Sequence, residues 1–267
     1  MMEFLGLVEG GYTREPEGYF SWQHLTFVGC LLAVMTLLAV FLGRRNRHRP
    51  FGDKNKVIIT AAILIDAFEI FKIVVLCIRD GSAEPIQRTL PLFLCSIQLI
   101  ALPLAAFSKG RIRESALDFV CIFGILGAVF GTIGAGQNYN AYPVLSMDNV
   151  ISGITHGISG FASLYILFAR MAGMKRKNIP ITFAILIFFC AAAYVANIVI
   201  DYNYMFLMRG DGTPYDILYN LVGGNAVLYP MGVVALFLGY IALFYWLFYV
   251  LTRKSRQTAK EYVELTQ

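Results

Sequence analysis

The sequence predicts an all-α membrane protein: a polytopic bundle of seven transmembrane helices with the N-terminus outside and the C-terminus in the cytoplasm. Three observations carry this. Of the 267 residues, 58% are hydrophobic and 15% charged, against roughly 45–50% and 25% in soluble domains, and mean hydropathy is +0.64. Apolar runs recur from Trp22 to Leu251 without a long polar break. The basic residues alternate between the two sides of the chain's successive loops. The composition excludes a soluble enzyme, and it excludes a disordered chain, which needs low hydrophobicity.

Residues 1–20 read as an external or interfacial segment, 21–252 as the membrane domain and 253–267 as a cytoplasmic tail. The first residues lack the basic start and long apolar run of a secretory leader. A spanning helix needs about 20 mainly apolar residues. Seven stretches satisfy this: Ser21–Gly43, Val57–Arg79, Gln87–Phe107, Ser115–Ala135, Val150–Met171, Ile179–Asp201 and Ala226–Thr252. Pro91, Pro103 and Pro230 kink the third and seventh or mark their ends.

Orientation follows from Lys and Arg. One set of loops holds Arg44, Arg45, Arg47, Arg49, Lys54, Lys56, Lys109, Arg111, Arg113, Arg170, Lys175, Arg176, Lys177, Arg253, Lys254, Arg256 and Lys260, which is 17 of 22 basic residues. The other side has Arg14, Arg79, Arg88 and Arg209, and Lys72 lies within a span. The rich side belongs in the cytoplasm, and the alternation requires an odd number of spans. The net charge of +5 therefore marks topology and not a nucleic-acid partner. The location expected is the cell membrane. The five cysteines are odd in number and form no C-x-x-C, so neither a disulfide framework nor a zinc site is expected. No metal or organic cofactor is implied.

Polar groups within spans are costly and are functional candidates by default. His156 lies about seven residues into the fifth span, roughly 10 Å deep at 1.5 Å per residue, and Cys95 about eight residues into the third, roughly 12 Å. Both spans start outside, so thiol and imidazole share a depth. Such a pair makes a thiolate nucleophile with the imidazole as base and then acid. Gln98 shares a helix face with Cys95, and Ser152 and Ser159 share one with His156; these donate to an oxyanion, hold the imidazole tautomer, or join helices. The G-x-x-x-G pairs Gly127–Gly131 and Gly153–Gly157 allow close helix approach. Asp66, Glu69 and Lys72 form one stripe of the second span, where Glu69 and Lys72 pair and Asp66 needs a partner from elsewhere. This stripe is either an ion pathway or a structural ionic network. Asp201 and Asn203, with Asn197 one turn earlier, are expected as a polar lip over a cavity lined by the third, fifth and sixth spans, with Gln98, Ser152 and Tyr204 as further polar residues of that pocket.

Three strings carry a resemblance: Leu90-Pro91-Leu92-Phe93-Leu94-Cys95, Thr155-His156-Gly157, and Asn203-Tyr204-Met205-Phe206-Leu207. In this order and spacing they resemble the YwaF-type bacterial integral membrane family. That family is similar to the animal transmembrane acyltransferases that make ether phospholipids and, more remotely, to the androgen-induced-gene membrane hydrolases. The resemblance runs from about the first span to the seventh, and the NYMFL string is its most specific part. It implies a seven-span helical fold and acyl transfer through Cys95 and His156. Phe93 stands where the bacterial proteins usually carry histidine, and Met208-Arg209-Gly210-Asp211-Gly212 replaces their basic-Pro pair.

The function expected is a membrane-embedded acyltransferase or acyl hydrolase. It acts on phospholipid and lysophospholipid through a cysteine thioester. The alternatives are an ion-coupled transporter built on Asp66, Glu69 and Lys72, and a non-catalytic lipid-binding scaffold.

Overall fold

The computed structural model describes the backbone of residues 1–264 and the side chains of residues 1–252. All regular structure among the described residues is helical. The helices are α1 (Trp22–Asn46), α2 (Phe51–Asp80), α3 (Glu84–Arg88), α4 (Gln98–Phe107), α5 (Gly110–Thr132), α6 (Gly136–Ala141), α7 (Met147–Phe168), α8 (Ile179–Ile200), α9 (Tyr215–Leu221) and α10 (Leu228–Glu264). Five segments are long and apolar enough to cross a membrane: Trp22–Asn46, Gly110–Ala141, Met147–Phe168, Arg176–Ile200 and Leu228–Thr252. The expected tail, 253–267, continues α10 as helix to Glu264. Its side chains, including Arg253, Lys254, Arg256 and Lys260, and its last three residues lie outside the described residues.

Local chemistry explains where the helices begin. Ser21 caps α1 by accepting from His24 N–H at 3.2 Å, and Ser146 caps α7 by accepting from Asn149 N–H at 3.3 Å; each fills one of a helix's orphan donors. α5 is buried on every side from Ser115 to Gly124, the signature of a central helix. It packs most extensively on α7, with α1, α2 and α4 around that pair. α1, α8 and α10 turn large apolar side chains outward, among them Leu37, Phe41, Phe188, Val199, Trp246 and Leu251. Apolar surface on this scale needs a lipid solvent. The protein is a multi-pass helical membrane protein.

The second and third expected spans differ from the other five. α2 has 30 residues, about 45 Å of helix, but carries Asp66, Glu69 and Lys72 within its apolar part. The third stretch is interrupted. Residues 90–97 leave the helix, and only the 10-residue α4 continues it. Pro91 lacks an N–H and disfavours helix at Leu90. Ser96 then closes a tight turn, its Oγ accepting from Phe93 N–H and donating to Phe93 C=O, both at 3.0 Å.

The first twenty residues fold onto the N-terminal end of α7. Met147 N–H donates to Phe4 C=O at 2.9 Å. Asp148 accepts from both guanidinium nitrogens of Arg79, at 2.8 and 3.1 Å, and from the Tyr12 hydroxyl. Burial, then the Asp148 carboxylate, push the Tyr12 phenol up to about 12, so it remains a donor at neutral pH.

Candidate active site

A cavity of about 340 Å³ lies between α2, α7 and the interrupted segment before α4, at the small end of the usual ligand-pocket range of about 300–1,000 Å³. Cys95, Ser96 and Phe93 line it from the broken segment, Glu69 and Lys72 from α2, and Ser152, Thr155, His156 and Ser159 from α7. α8 contributes nothing to the lining. The expected third, fifth and sixth walls are therefore the third, fifth and second. α8 packs instead on α5 and α10, and its Asn197 binds the Tyr204 backbone in the loop that follows it, at 2.6 and 3.1 Å.

Cys95 and His156 come together in this cavity, within side-chain hydrogen-bonding reach of each other. The imidazole is oriented by its other nitrogen. His156 Nδ1 lies 2.7 Å from Ser152 C=O. A carbonyl only accepts, so Nδ1 carries the proton and Nε2 holds the free lone pair. Ser152 Oγ is farther away, at 3.4 Å. The backbone carbonyl, rather than the hydroxyl, sets the tautomer.

α5 does not line the cavity but packs directly against two residues that do. A methyl group built on Gly131 would overlap the His156 ring at Cδ2 and Nε2. One on Gly127 would meet Cys95 Cβ at 3.4 Å and Ser159 Oγ at 3.9 Å. The G-x-x-x-G pair thus brings α5 against both the Cys95 segment and the imidazole, a direct use of small residues for close approach.

The remaining candidates separate into groups. Glu69 and Lys72 form an ion pair at 2.6 Å in the cavity wall. Asp66, one turn away, has no hydrogen-bond or ion-pair partner among the described residues and does not line the cavity. Gln98 is fully buried with both amide atoms unpartnered among the described residues, and it lies outside the lining.

The polar lip is not formed. Asp201 is exposed and takes a left-handed conformation (φ 56°) at the end of α8. Asn203 spends its amide inside its own loop, donating to Arg209 C=O and Asp211, each at 2.8 Å, and accepting from Met208 N–H at 2.9 Å. The Tyr204 hydroxyl donates to Gln87 C=O. Left-handed residues at Asp201, Met205 and Phe206 fold this loop back on itself, which turns its polar atoms away from the cavity. What it offers the site is aromatic support: Phe93 packs on Tyr202, Tyr204 and Phe206 with ring centroids 5.4–6.2 Å apart.

A second cavity, of about 590 Å³, adjoins the first through Leu76, Arg88, Thr89, Tyr142 and Asp148. Residues 10–16 of the N-terminal segment form part of its wall. Neither Arg88 nor Thr89 stands out in the sequence, because nothing in their spacing shows that the chain after α3 turns inward.

No curated protein and no solved structure matches the chain significantly. The sequence profile of the TMEM164 family matches residues 19–251, from the start of α1 almost to the end of the described side chains. The chain belongs to the TMEM164 family, a family of transmembrane proteins.

Proposed function

We propose that the protein is an acyltransferase or acyl hydrolase working within the membrane on phospholipid acyl esters. The observation that carries this reading is the approach of Cys95 and His156 across a cavity, with Nε2 left as the base by the Nδ1–Ser152 bond. His156 Nε2 takes the thiol proton, and Cys95 Sγ attacks the ester carbonyl carbon. The carbon–oxygen bond of the ester breaks, and His156 returns the proton to the departing lysolipid alcohol. The acyl group is now a thioester. A lysophospholipid hydroxyl then gives its proton to His156 and takes the acyl group, and the thiol is restored. Water in place of that hydroxyl yields a fatty acid. The sequence resemblance to the YwaF-type proteins and the animal acyltransferases supports the same pair. No step calls for a cofactor.

The same reading places seven spans in the membrane, with the N-terminus outside. α2 crosses as a charged helix whose ion pair faces the cavity. Residues 87–107 cross as a broken segment, which bilayers accept where irregular backbone lines a cavity. The Lys and Arg bias sets the orientation.

The test uses purified protein in vesicles with an isotope-labelled phospholipid donor and a lysophospholipid acceptor. Labelled acyl chain should appear in the acceptor with wild type and be lost with Cys95→Ala and His156→Ala. Transfer that survives Cys95→Ala ends this reading. The transporter reading draws on the Glu69–Lys72 pair in the cavity wall. It gains only if flux depends on Glu69 while Cys95→Ala is silent.

A further inference from the structure

The turn that carries Cys95 leaves donors unused. The backbone N–H groups of Leu94 and Ser96 have no partner among the described residues, while that of Cys95 faces its own Sγ. In a regular spanning helix every one of these groups is bonded to a carbonyl four residues back. The break at Pro91 is what frees them.

Across the cavity Ser159 is in the same condition. It is 2% exposed, lines the cavity, and its Oγ has no hydrogen-bond partner among the described residues. A buried hydroxyl without a partner loses its hydration for nothing, and helix serines ordinarily avoid this by donating to a carbonyl of the preceding turn. Thr132 does so at 2.6 Å. Ser159 does not. Its Oγ and Cys95 Cβ both lie within 4 Å of one point above Gly127.

We infer that Ser159 Oγ and the free backbone N–H groups of the Cys95 turn form an oxyanion hole, which makes Ser159 a catalytic residue. The inference rests on the thioester reading above. When the Cys95 Sγ–carbon bond forms, the carbonyl π pair moves onto oxygen. That oxygen takes hydrogen bonds from Ser159 and the turn. The pair returns when the carbon–oxygen bond to the lysolipid breaks. Donors fixed in place before the charge appears, in a water-poor site, lower this barrier most effectively. One such donor is worth about 10²–10³ in rate. With the backbone donors still present, loss of Ser159 should cost about 10- to 100-fold.

The experiment compares two electrophiles on the purified full chain. A p-nitrophenyl fatty acyl ester reacts through an oxyanion; iodoacetamide alkylates the thiolate by displacement and forms none. Single-turnover acylation of Ser159→Ala should slow about 10- to 100-fold, with alkylation within about twofold of wild type. Its melting temperature should be unchanged or higher, since the substitution removes an unsatisfied hydroxyl. Equal reactivity of wild type and Ser159→Ala toward both reagents overturns the inference, as does an equal loss with both. If wild type and Cys95→Ala acylate alike, the thioester reading itself falls.

Discussion

Two buried polar clusters sit near opposite ends of α5, and they are finished differently. At the first, Asp118 is fully buried and each carboxylate oxygen is occupied. Met174 N–H donates to one at 3.2 Å; Asn178 and the Tyr245 hydroxyl donate to the other at 3.2 and 2.9 Å. These bonds fasten α5 to the α7–α8 connection and to α10, and none of the four residues lines the Cys95 cavity. At the second, thirteen residues along the helix and about 20 Å away, Gly131 and Gly127 support His156, Cys95 and Ser159 around a cavity. There, the Ser159 hydroxyl and the backbone N–H groups of Leu94 and Ser96 have no partner among the described residues. Burying a polar atom is justified by the bond it makes. The Asp118 carboxylate has every oxygen bonded within the fold, whereas the Cys95 cluster leaves donors without a partner among the described residues.

The largest effect should come from the imidazole. His156→Ala removes the base and should lower acyl transfer about 10³-fold, within the 10²–10⁴ range of general bases. Gly131→Ala should do nearly as much without touching a polar group. Its methyl overlaps the ring that Ser152 C=O holds in place, and a misplacement of about 1 Å costs about 10²-fold. Gly127→Ala is the control, since its methyl meets Cys95 Cβ at an ordinary 3.4 Å. If Gly131→Ala and Gly127→Ala lose the same small amount of transfer, the imidazole does not work from this position.

Asp118→Ala should break the other cluster. Three donors lose their acceptor, and at about 1–3 kcal/mol for each unsatisfied group the net loss, after relaxation, should be about 2–4 kcal/mol. Unfolding in denaturant measures it. Iodoacetamide labelling of Cys95 in the folded fraction should be unchanged. Labelling lost at full stability would mean that the two clusters are one system.

Much of this division is visible in the sequence. The depth of His156 is legible, because a helix converts residue count into distance; that of Cys95 is not, since it sits in the broken segment before α4 where the conversion does not hold. The G-x-x-x-G stripe is legible as a close contact, but not what it contacts, since spacing fixes a face and not its neighbour. For that reason Glu69 and Lys72 read equally as support or pathway until α2 is seen to turn them into the cavity. The break before α4 is half legible. Pro91 signals an interruption, yet the turn depends on a Ser96–Phe93 exchange that propensity does not encode. The NYMFL loop misleads for a similar reason. Its polar residues suggest a lip, while left-handed backbone at Asp201, Met205 and Phe206 leaves Asp201 exposed, ties Asn203 to its own loop and sends the Tyr204 hydroxyl to Gln87. Phe93 is the residue that loop packs against.

Glu69→Gln tests which side of the comparison the α2 pair belongs to. It leaves Lys72 charged and uncompensated in a mostly buried wall, where the pair's side chains are 11% and 18% exposed. A charge at the bilayer centre costs about 2.5–3.5 kcal/mol, and the adjoining cavity relieves part of this. A stability loss of about 1–2 kcal/mol is expected, with transfer per folded molecule reduced less than about tenfold. A normal melting temperature with transfer abolished would move Glu69 into the working cluster.

The smallest effect should be that of Ser152→Ala. Ser152 lies one turn before His156, and its hydroxyl is the natural candidate for holding the ring. The distances assign that work elsewhere. Nδ1 is 2.7 Å from the Ser152 carbonyl and 3.4 Å from its hydroxyl, and an N–H bond of normal strength falls near 2.9 Å and weakens quickly beyond 3.2 Å. Alanine keeps the carbonyl and has the higher helix propensity, so the backbone that presents the carbonyl is retained. Transfer by Ser152→Ala should stay within about threefold of wild type, and its pH profile should superimpose on the wild-type profile. Ser152 and Ser159 look equivalent in sequence, one turn on either side of the histidine. A loss on Ser152→Ala as large as that on Ser159→Ala would show that the hydroxyls act together, and it would remove the distinction between a serine that orients through its backbone and one that donates through its side chain.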